Sequence, residues 1–299
     1  MGLNLSFMSF NEVFAGYVTQ TEAAIDRYLP LASTRPEKLH TAMRYAMQGG
    51  GKRLRPVLVL AAKDLFNTKA QDGLAAAVAV ECVHTYSLIH DDLPCMDNDD
   101  LRRGRATVHR AFDEATALLA GDALLTHAFI LLSHHYPAAI ALNLVRELSS
   151  ASGSEKLIGG QVEDLLAEKR KDVSKADLEF IHLNKTAAMI ECSLVLGAII
   201  AEASHEETEK IRHAGRHLGL AFQIIDDILD VTSDNATLGK TVGKDAKAGK
   251  TTFVSMHGLE KSKLLAEASS EAAIAGFKSL YKGSDFFTDL TKSLSQRIT

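Results

Sequence analysis

Five aspartates fall within ten positions of HDDLPCMDNDDLRRG, residues 90–104, and Arg102 and Arg103 follow at once. A second acidic group, QIIDDILD at 223–230, interrupts an apolar helical pattern. There Asp226 and Asp230 lie four residues apart, so they project from nearly one face of a helix with Asp227 beside them. Like charges crowded on an apolar helix are costly unless neutralised, which calls for a counter-charge. A hard cation with oxygen ligands fits best, and Mg2+ takes one or two carboxylates and completes its shell with phosphate oxygens and water.

The first cluster needs a different geometry. Asp91 and Asp92 close a long apolar helical run, but Asp97 is six residues beyond Asp91, roughly 240° around an ideal helix. Pro94 removes a backbone donor and disfavours helix at Leu93, so a turn is expected there that returns Asp97 to Asp91. His84 lies seven residues before Asp91, almost on the same face. Two further stretches carry cations among glycines: GGGKRLRP, with Lys52 and Arg55, and LGKTVGKDAKAGK, with Lys240, Lys244, Lys247 and Lys250. Arginine offers a planar fork and lysine a mobile point charge, so both stretches suit diphosphate oxygens, and a Gly/Lys loop can close over a polyanion. Taken singly, a DD pair at a helix end reads as solvated charge, His84 as a core histidine and Lys185 as a solvated helix residue.

Long helices must position these groups. Proline occurs only five times in 299 residues, and the Ala-, Leu-, Glu- and Lys-rich stretches favour helix over strand. Leu74–His90 is apolar nearly all round, the pattern of a helix buried in a bundle. Helical patterns also run through Thr116–Ser133, Leu178–Glu202, Glu206–Val231 and Glu260–Leu280. No apolar–polar alternation is long enough for a sheet. Connections are expected at Gln48–Lys52, Leu93–Arg105, Lys169–Lys175 and Ser233–Lys250. With no Pro-, Gly- or Ser-rich linker, residues 1–299 read as a single all-α domain.

The net charge of -5 argues against a nucleic-acid binder. Cys82, Cys95 and Cys192 lie far apart without a CxxC pair, which suits a reducing compartment. With no basic n-region, no apolar h-region and no expected membrane span, the chain reads as cytoplasmic and without a stable membrane anchor. MGLNLS matches a myristoylation pattern at Gly2, a pattern short enough to arise by chance.

In this order, GGGKRLRP, LIHDDLPCMDNDDLRRG, GDALL, GGQVEDL, NKTA, FQIIDDILD and LGK followed by GKTT resemble the trans-isoprenyl diphosphate synthases. The resemblance implies an isoprenoid-synthase-type helical bundle around a deep central cavity, in a homodimer. It implies head-to-tail condensation of an allylic diphosphate with isopentenyl diphosphate. The allylic carbon–oxygen bond breaks, the isopentenyl double bond attacks the resulting carbocation, and a proton is lost to the departing diphosphate. About three Mg2+ ions would bridge both motifs to the leaving group, through Asp91, Asp92, Asp97, Asp226, Asp227 and Asp230. Asp91, Asp97, Asp226, Lys185 and Arg102 carry the catalytic assignment. Lys52, Arg55, His84 and Arg103 are assigned to isopentenyl diphosphate, and Arg102, Lys185, Thr186, Gln223, Lys240 and Lys250 to the allylic partner. Asp99 and Asp100 either add field or pair with Arg102, Arg103 or Arg105, and Arg297 is a candidate closing cation.

Tyr86, five residues before Asp91, stands where the resembled family uses side-chain size to limit product length. An aromatic there, with the longer aspartate spacing, implies farnesyl diphosphate, against a geranylgeranyl alternative that CMDNDD also resembles. A terpene cyclase would need another second metal motif. Intact aspartates count against a noncatalytic subunit of a heteromeric synthase. No EF-hand loop appears, and Cys82, His84 and Cys95 lack paired zinc-ligand spacing.

Overall fold

The computed structural model describes residues 9–66, 71–170, 172–232, 251–280 and 284–298. The described residues are helical apart from one two-stranded pair and the connections, as the composition and periodicity lead one to expect. By contacts the chain divides into two compact units, residues 1–61 with 69–145, and residues 62–68 with 146–299. Two of these divisions, at 61/62 and 145/146, fall inside helices.

The first unit holds α1 (Phe10–Tyr28), α2 (Glu37–Met47), most of α3 (Leu54–Phe66), α4 (Leu74–Asp91), strands β1 (Leu101–Arg102) and β2 (Arg105–Ala106), α5 (Val108–Ala111), α6 (Glu114–His135) and the start of α7 (Ala138–Ser152). Helix α1 begins at a capping box, Ser9 with Glu12, which satisfies donors that the first turn leaves orphaned. Helix α4 is the centre of this unit: it packs on α6, α1 and α2 and buries residues on every side, including Val78, Val80, Val83 and Ile89. Its run of apolar residues without a polar face is what that position requires. Helix α6 buries Leu124, Leu131 and Leu132 but exposes Leu118, Leu119 and Ile130.

The second unit holds α8 (Leu157–Ala167), α9 (Lys175–Ile181), a π-helical segment His182–Ala187, α10 (Ala188–Ile200), α11 (His205–Thr232), α12 (Phe253–His257), α13 (Leu259–Lys278), α14 (Asp285–Ser295) and a closing 3-10 turn, Gln296–Ile298. The expected helix Leu178–Glu202 is thus one run broken by a π turn. Helix α10 is buried almost throughout and packs on α11, which also packs on α13. Helix α11 starts at another capping box, with the Glu207 amide donating to Ser204 Oγ and the Ser204 amide to Glu207 Oε2.

One polar knot sits in this apolar packing. The Arg212 guanidinium donates to both oxygens of Glu147 at 2.8 and 3.0 Å and to Glu191 at 3.1 Å. Those bonds hold the guanidinium charged beyond its ordinary range. Removing one partner of such a network leaves charge in the packing uncompensated, so Arg212→Met is expected to destabilise the fold by about 3 kcal/mol. Denaturant unfolding checks this, and a loss below about 1 kcal/mol would contradict it.

Two stretches, Glu114–His135 and Lys175–Ile200, are long and apolar enough to cross a membrane by length and composition. This corrects the expectation that no stretch qualifies. The second is mostly buried.

Candidate active site

In the first unit, helix α4 ends at Asp91, two residues before Leu93 and three before Pro94. The chain then doubles back: the Asp97 amide donates to the Asp91 carbonyl at 2.8 Å, and the Asp99 amide to the Asp92 carbonyl at 3.2 Å. The turn expected at Pro94 is therefore present, and it brings Asp97 to Asp91. Both residues remain half-buried.

Beyond the turn, β1 and β2 pair antiparallel about Arg103 and Gly104, both in the left-handed region. Two such residues make the tight hairpin turn whose twist suits the flanking strands. The hairpin aims the arginines. Arg102 Nε donates to both oxygens of Asp92 at 2.8 and 2.9 Å, and its Nη2 lies 2.6 Å from Asp92 Oδ1. Asp92 is buried, and burial raises its pKa although Arg102 opposes the shift. Asp99 stands 3.9 Å from Arg102, while Asp100 pairs with Arg110 at 2.7 Å, a partner that the sequence reading does not consider.

The isopentenyl diphosphate assignments gather in the same unit. Arg103 donates to the Gly50 carbonyl and lies across the glycine turn; a Cβ at Gly51, where φ is +130°, would sit 2.4 Å from Arg103 Nη1. That backbone conformation is one that residues with a side chain rarely adopt, which suits glycine. Arg55 Nε is buried without a hydrogen-bond partner. Burial lowers the Arg55 pKa, with the Arg103 charge adding to the effect. His84 is held well below its ordinary value by burial and then by Arg55 and Arg103, so it is neutral at pH 7. An orphaned guanidinium nitrogen beside further cations is an environment that an anion would satisfy. Lys52 is exposed at the turn. A small cavity of this unit is lined by Tyr45, Thr85, Asp92, Arg102, Arg103 and Arg105, with Arg105 over the Tyr45 ring at 4.3 Å.

In the second unit, α11 carries Gln223, Asp226, Asp227 and Asp230. Asp226 and Asp230 are half-buried, whereas Asp227 is buried. Asp227 Oδ1 accepts from Gln223 Nε2 at 3.0 Å, and its Oδ2 accepts from the Phe253 amide at 2.8 Å. Thr186 Oγ1 donates to Gln223 Oε1 at 2.9 Å, and Lys185 Nζ lies 2.6 Å from Asp164 Oδ2. Lys185 and Thr186 sit in the π segment, a wide turn that recurs at functional sites. His182 opens that segment, stacked on Phe253 and 3.7 Å from Asp227; burial pushes its pKa down to about 4.

The six aspartates are therefore not equivalent. Asp92 and Asp227, assigned to magnesium by the resemblance together with Asp91, Asp97, Asp226 and Asp230, already accept hydrogen bonds on both oxygens from their own chain. Among the described residues, no three His, Cys, Asp or Glu side chains form a metal-binding group by themselves. Paired carboxylates suit Mg2+, which draws the rest of its shell from phosphate and water. Sequence reasoning does not single out Asp164, although its motif GGQVEDL is visible. Lys240 and Lys250, with Lys244 and Lys247, lie outside the described residues, as does Gly2. Arg297 sits in the closing 3-10 turn. Cys82 and Cys192 are buried, with thiols raised by burial, while Cys95 is exposed beside the first acidic motif.

The family model described as Polyprenyl synthetase matches residues 36–281. The chain is 47% identical over 290 residues to the heterodimeric geranylgeranyl pyrophosphate synthase large subunit 1, chloroplastic, of Arabidopsis thaliana, covering 92% of this chain and 76% of that protein. It is 48% identical over 232 residues to farnesyl diphosphate synthase of Bacillus subtilis, covering 76% and 78%. Among solved structures, geranyltransferase from Helicobacter pylori, complexed with magnesium and isoprenyl diphosphate, superposes with a TM-score of 0.81 at 34% identity, covering 98% of this chain and 99% of that one. An FPP/GFPP synthase from Zymomonas mobilis gives 0.84 at 36% identity, covering 96% and 100%. Both acidic motifs lie inside the matched residues, and the fold is shared along nearly the whole chain. The protein belongs to the polyprenyl synthetase family and is a prenyl diphosphate synthase of the short-chain trans type.

Proposed function

We propose that the protein makes farnesyl diphosphate, condensing dimethylallyl and then geranyl diphosphate with isopentenyl diphosphate in the presence of Mg2+. Tyr86 carries the product assignment: an aromatic ring buried on α4, five residues before Asp91. Similarity to the B. subtilis farnesyl diphosphate synthase supports it. Similarity to geranylgeranyl synthases of plants supports a second reading, in which one more isoprene unit is added.

Asp91 and Asp97 in one motif and Asp226 and Asp230 in the other are the carboxylates that would hold Mg2+. Bound there, the ions supply positive charge that makes diphosphate a better leaving group. Lys52, Arg55, Arg103 and neutral His84 bind the diphosphate of the isopentenyl substrate. Arg102, Lys185, Thr186, Gln223, Lys240 and Lys250 bind that of the allylic substrate. Asp92 and Asp227 orient Arg102 and Gln223 respectively. Fixed cations of this kind stabilise charge as it develops on the leaving oxygens, without reorganising during the reaction. Apolar helices exclude the water that would quench a carbocation. A homodimer is part of the proposal, and the exposed Leu118, Leu119 and Ile130 of α6 are apolar surface of the kind that subunit contacts cover.

The test is incubation of the purified chain with Mg2+, isopentenyl diphosphate and dimethylallyl, geranyl or farnesyl primers, followed by product-length analysis. Farnesyl diphosphate should dominate, with the farnesyl primer extended poorly. A mainly geranylgeranyl product would support the second reading. Activity appearing only with an added partner chain would favour a heteromeric synthase.

A further inference from the structure

Arg53 lies between two proposed phosphate ligands, Lys52 and Arg55, yet points away from solvent. Its backbone has φ +50°, following Gly50 at +77° and Gly51 at +130°. A residue with a side chain rarely holds the left-handed region unless its surroundings enforce it. Here the enforcing contacts are on the guanidinium, whose side chain is 1% exposed. Nε donates to Glu22 Oε1 at 2.7 Å and Nη2 to Glu22 Oε2 at 3.2 Å, on α1. Nη1 donates to Glu81 Oε1 at 2.7 Å, on α4, and Nη2 to the Met47 carbonyl at 2.6 Å, the last residue of α2. One planar group thus ties three helices to the glycine turn. Glu81 stands one helical turn before His84, so the same clamp sets the turn against the helix that carries His84 and Asp91.

We propose that Arg53, clamped by Glu22 and Glu81, is a positioning residue that fixes the turn Gly49–Arg53 so that Lys52 and Arg55 meet the isopentenyl diphosphate together. This rests on the reading that Lys52 and Arg55 bind that substrate. The planar fork is essential to the role. Lysine keeps the charge but cannot satisfy two carboxylates and a carbonyl in fixed directions.

Arg53→Ala strands the buried Glu81 carboxylate and confounds folding with function. The informative variants are Arg53→Lys, and Glu22→Gln at the partly exposed end of the clamp. They are measured with Lys52→Ala in the full-length enzyme with Mg2+. Arg53→Lys and Glu22→Gln should raise KM for isopentenyl diphosphate about tenfold and about threefold. KM for the allylic substrate should stay within about twofold of wild type in both variants, and the melting temperature of Glu22→Gln, at the exposed end of the clamp, should be nearly unchanged. Glu22→Gln should have a smaller effect on KM in a Lys52→Ala background, because part of its action passes through Lys52. If Lys52→Ala leaves the isopentenyl KM at wild type, the site reading itself fails. If Lys52→Ala raises it but the clamp variants do not, or shift both KM values and stability together, the positioning role is overturned.

Discussion

Asp226→Ala is expected to lower kcat/KM by about a thousandfold, equivalent to about 4 kcal/mol of transition-state stabilisation, with little change in unfolding. Asp227→Asn, one residue away, is expected to do nearly the reverse. The contrast follows from packing on α11. Consecutive residues of a helix are about 100° apart, so an adjacent pair cannot share one environment. Asp227 is turned inward, where Gln223 and the Phe253 amide occupy its two oxygens. Asp226 stays half-buried, with Asp230 four residues on. Asparagine at 227 keeps one acceptor but loses the second carboxylate oxygen and the charge. About 1–3 kcal/mol of stability should be lost, and activity should fall about tenfold through a displaced Gln223. Steady-state kinetics and thermal unfolding of both variants separate the two roles. Near-normal turnover in Asp226→Ala would contradict its metal role. A loss in Asp227→Asn as deep as in Asp226→Ala, at unchanged stability, would return Asp227 to the metal ligands.

That distinction marks where sequence reasoning stops. The long helices are legible because periodicity and composition act over many residues, and α4, α6, α11 and α13 lie within a few residues of their expected limits. The break after Asp91 is legible because proline acts on its own neighbours. Which aspartate of each DD pair turns inward is not legible, since adjacent carboxylates are alike until neighbouring elements are placed. The π turn at His182–Ala187 and the hairpin at Leu101–Ala106 escape for a similar reason: each is a local departure of a few residues, below the length at which a pattern shows. Yet these two irregular pieces set Lys185, Thr186, Arg102 and Arg103, residues whose types the motifs make visible. Asp164 stays hidden because an acid on a helix reads as solvated charge until Lys185 is seen 2.6 Å away.

Tyr86→Ala is expected to shift the main product from farnesyl to geranylgeranyl diphosphate. Tyr86 lies about 140° around α4 from Asp91 and about 7.5 Å back along its axis. Its ring is buried and meets His90 edge-on at 5.6 Å, and burial pushes its phenol up to about 12, so it is neutral at any working pH. Size is then the property that can act on an apolar chain. Alanine leaves room only if neighbours do not collapse inward, and His90 is well placed to stay. His90 Nε2 lies 3.0 Å from the Leu118 carbonyl, and the ring rests against Gly121, where an added Cβ would come within 2.2 Å of that nitrogen. Truncating a buried aromatic costs about 3–5 kcal/mol of stability. Tyr86→Phe therefore serves as the size control and should keep the farnesyl product. Chain-length analysis with geranyl and farnesyl primers reads the result. If Tyr86→Ala folds, turns over and still stops at farnesyl, the length limit lies with another side chain. If Tyr86→Phe lengthens the product as alanine does, the hydroxyl rather than the ring sets it.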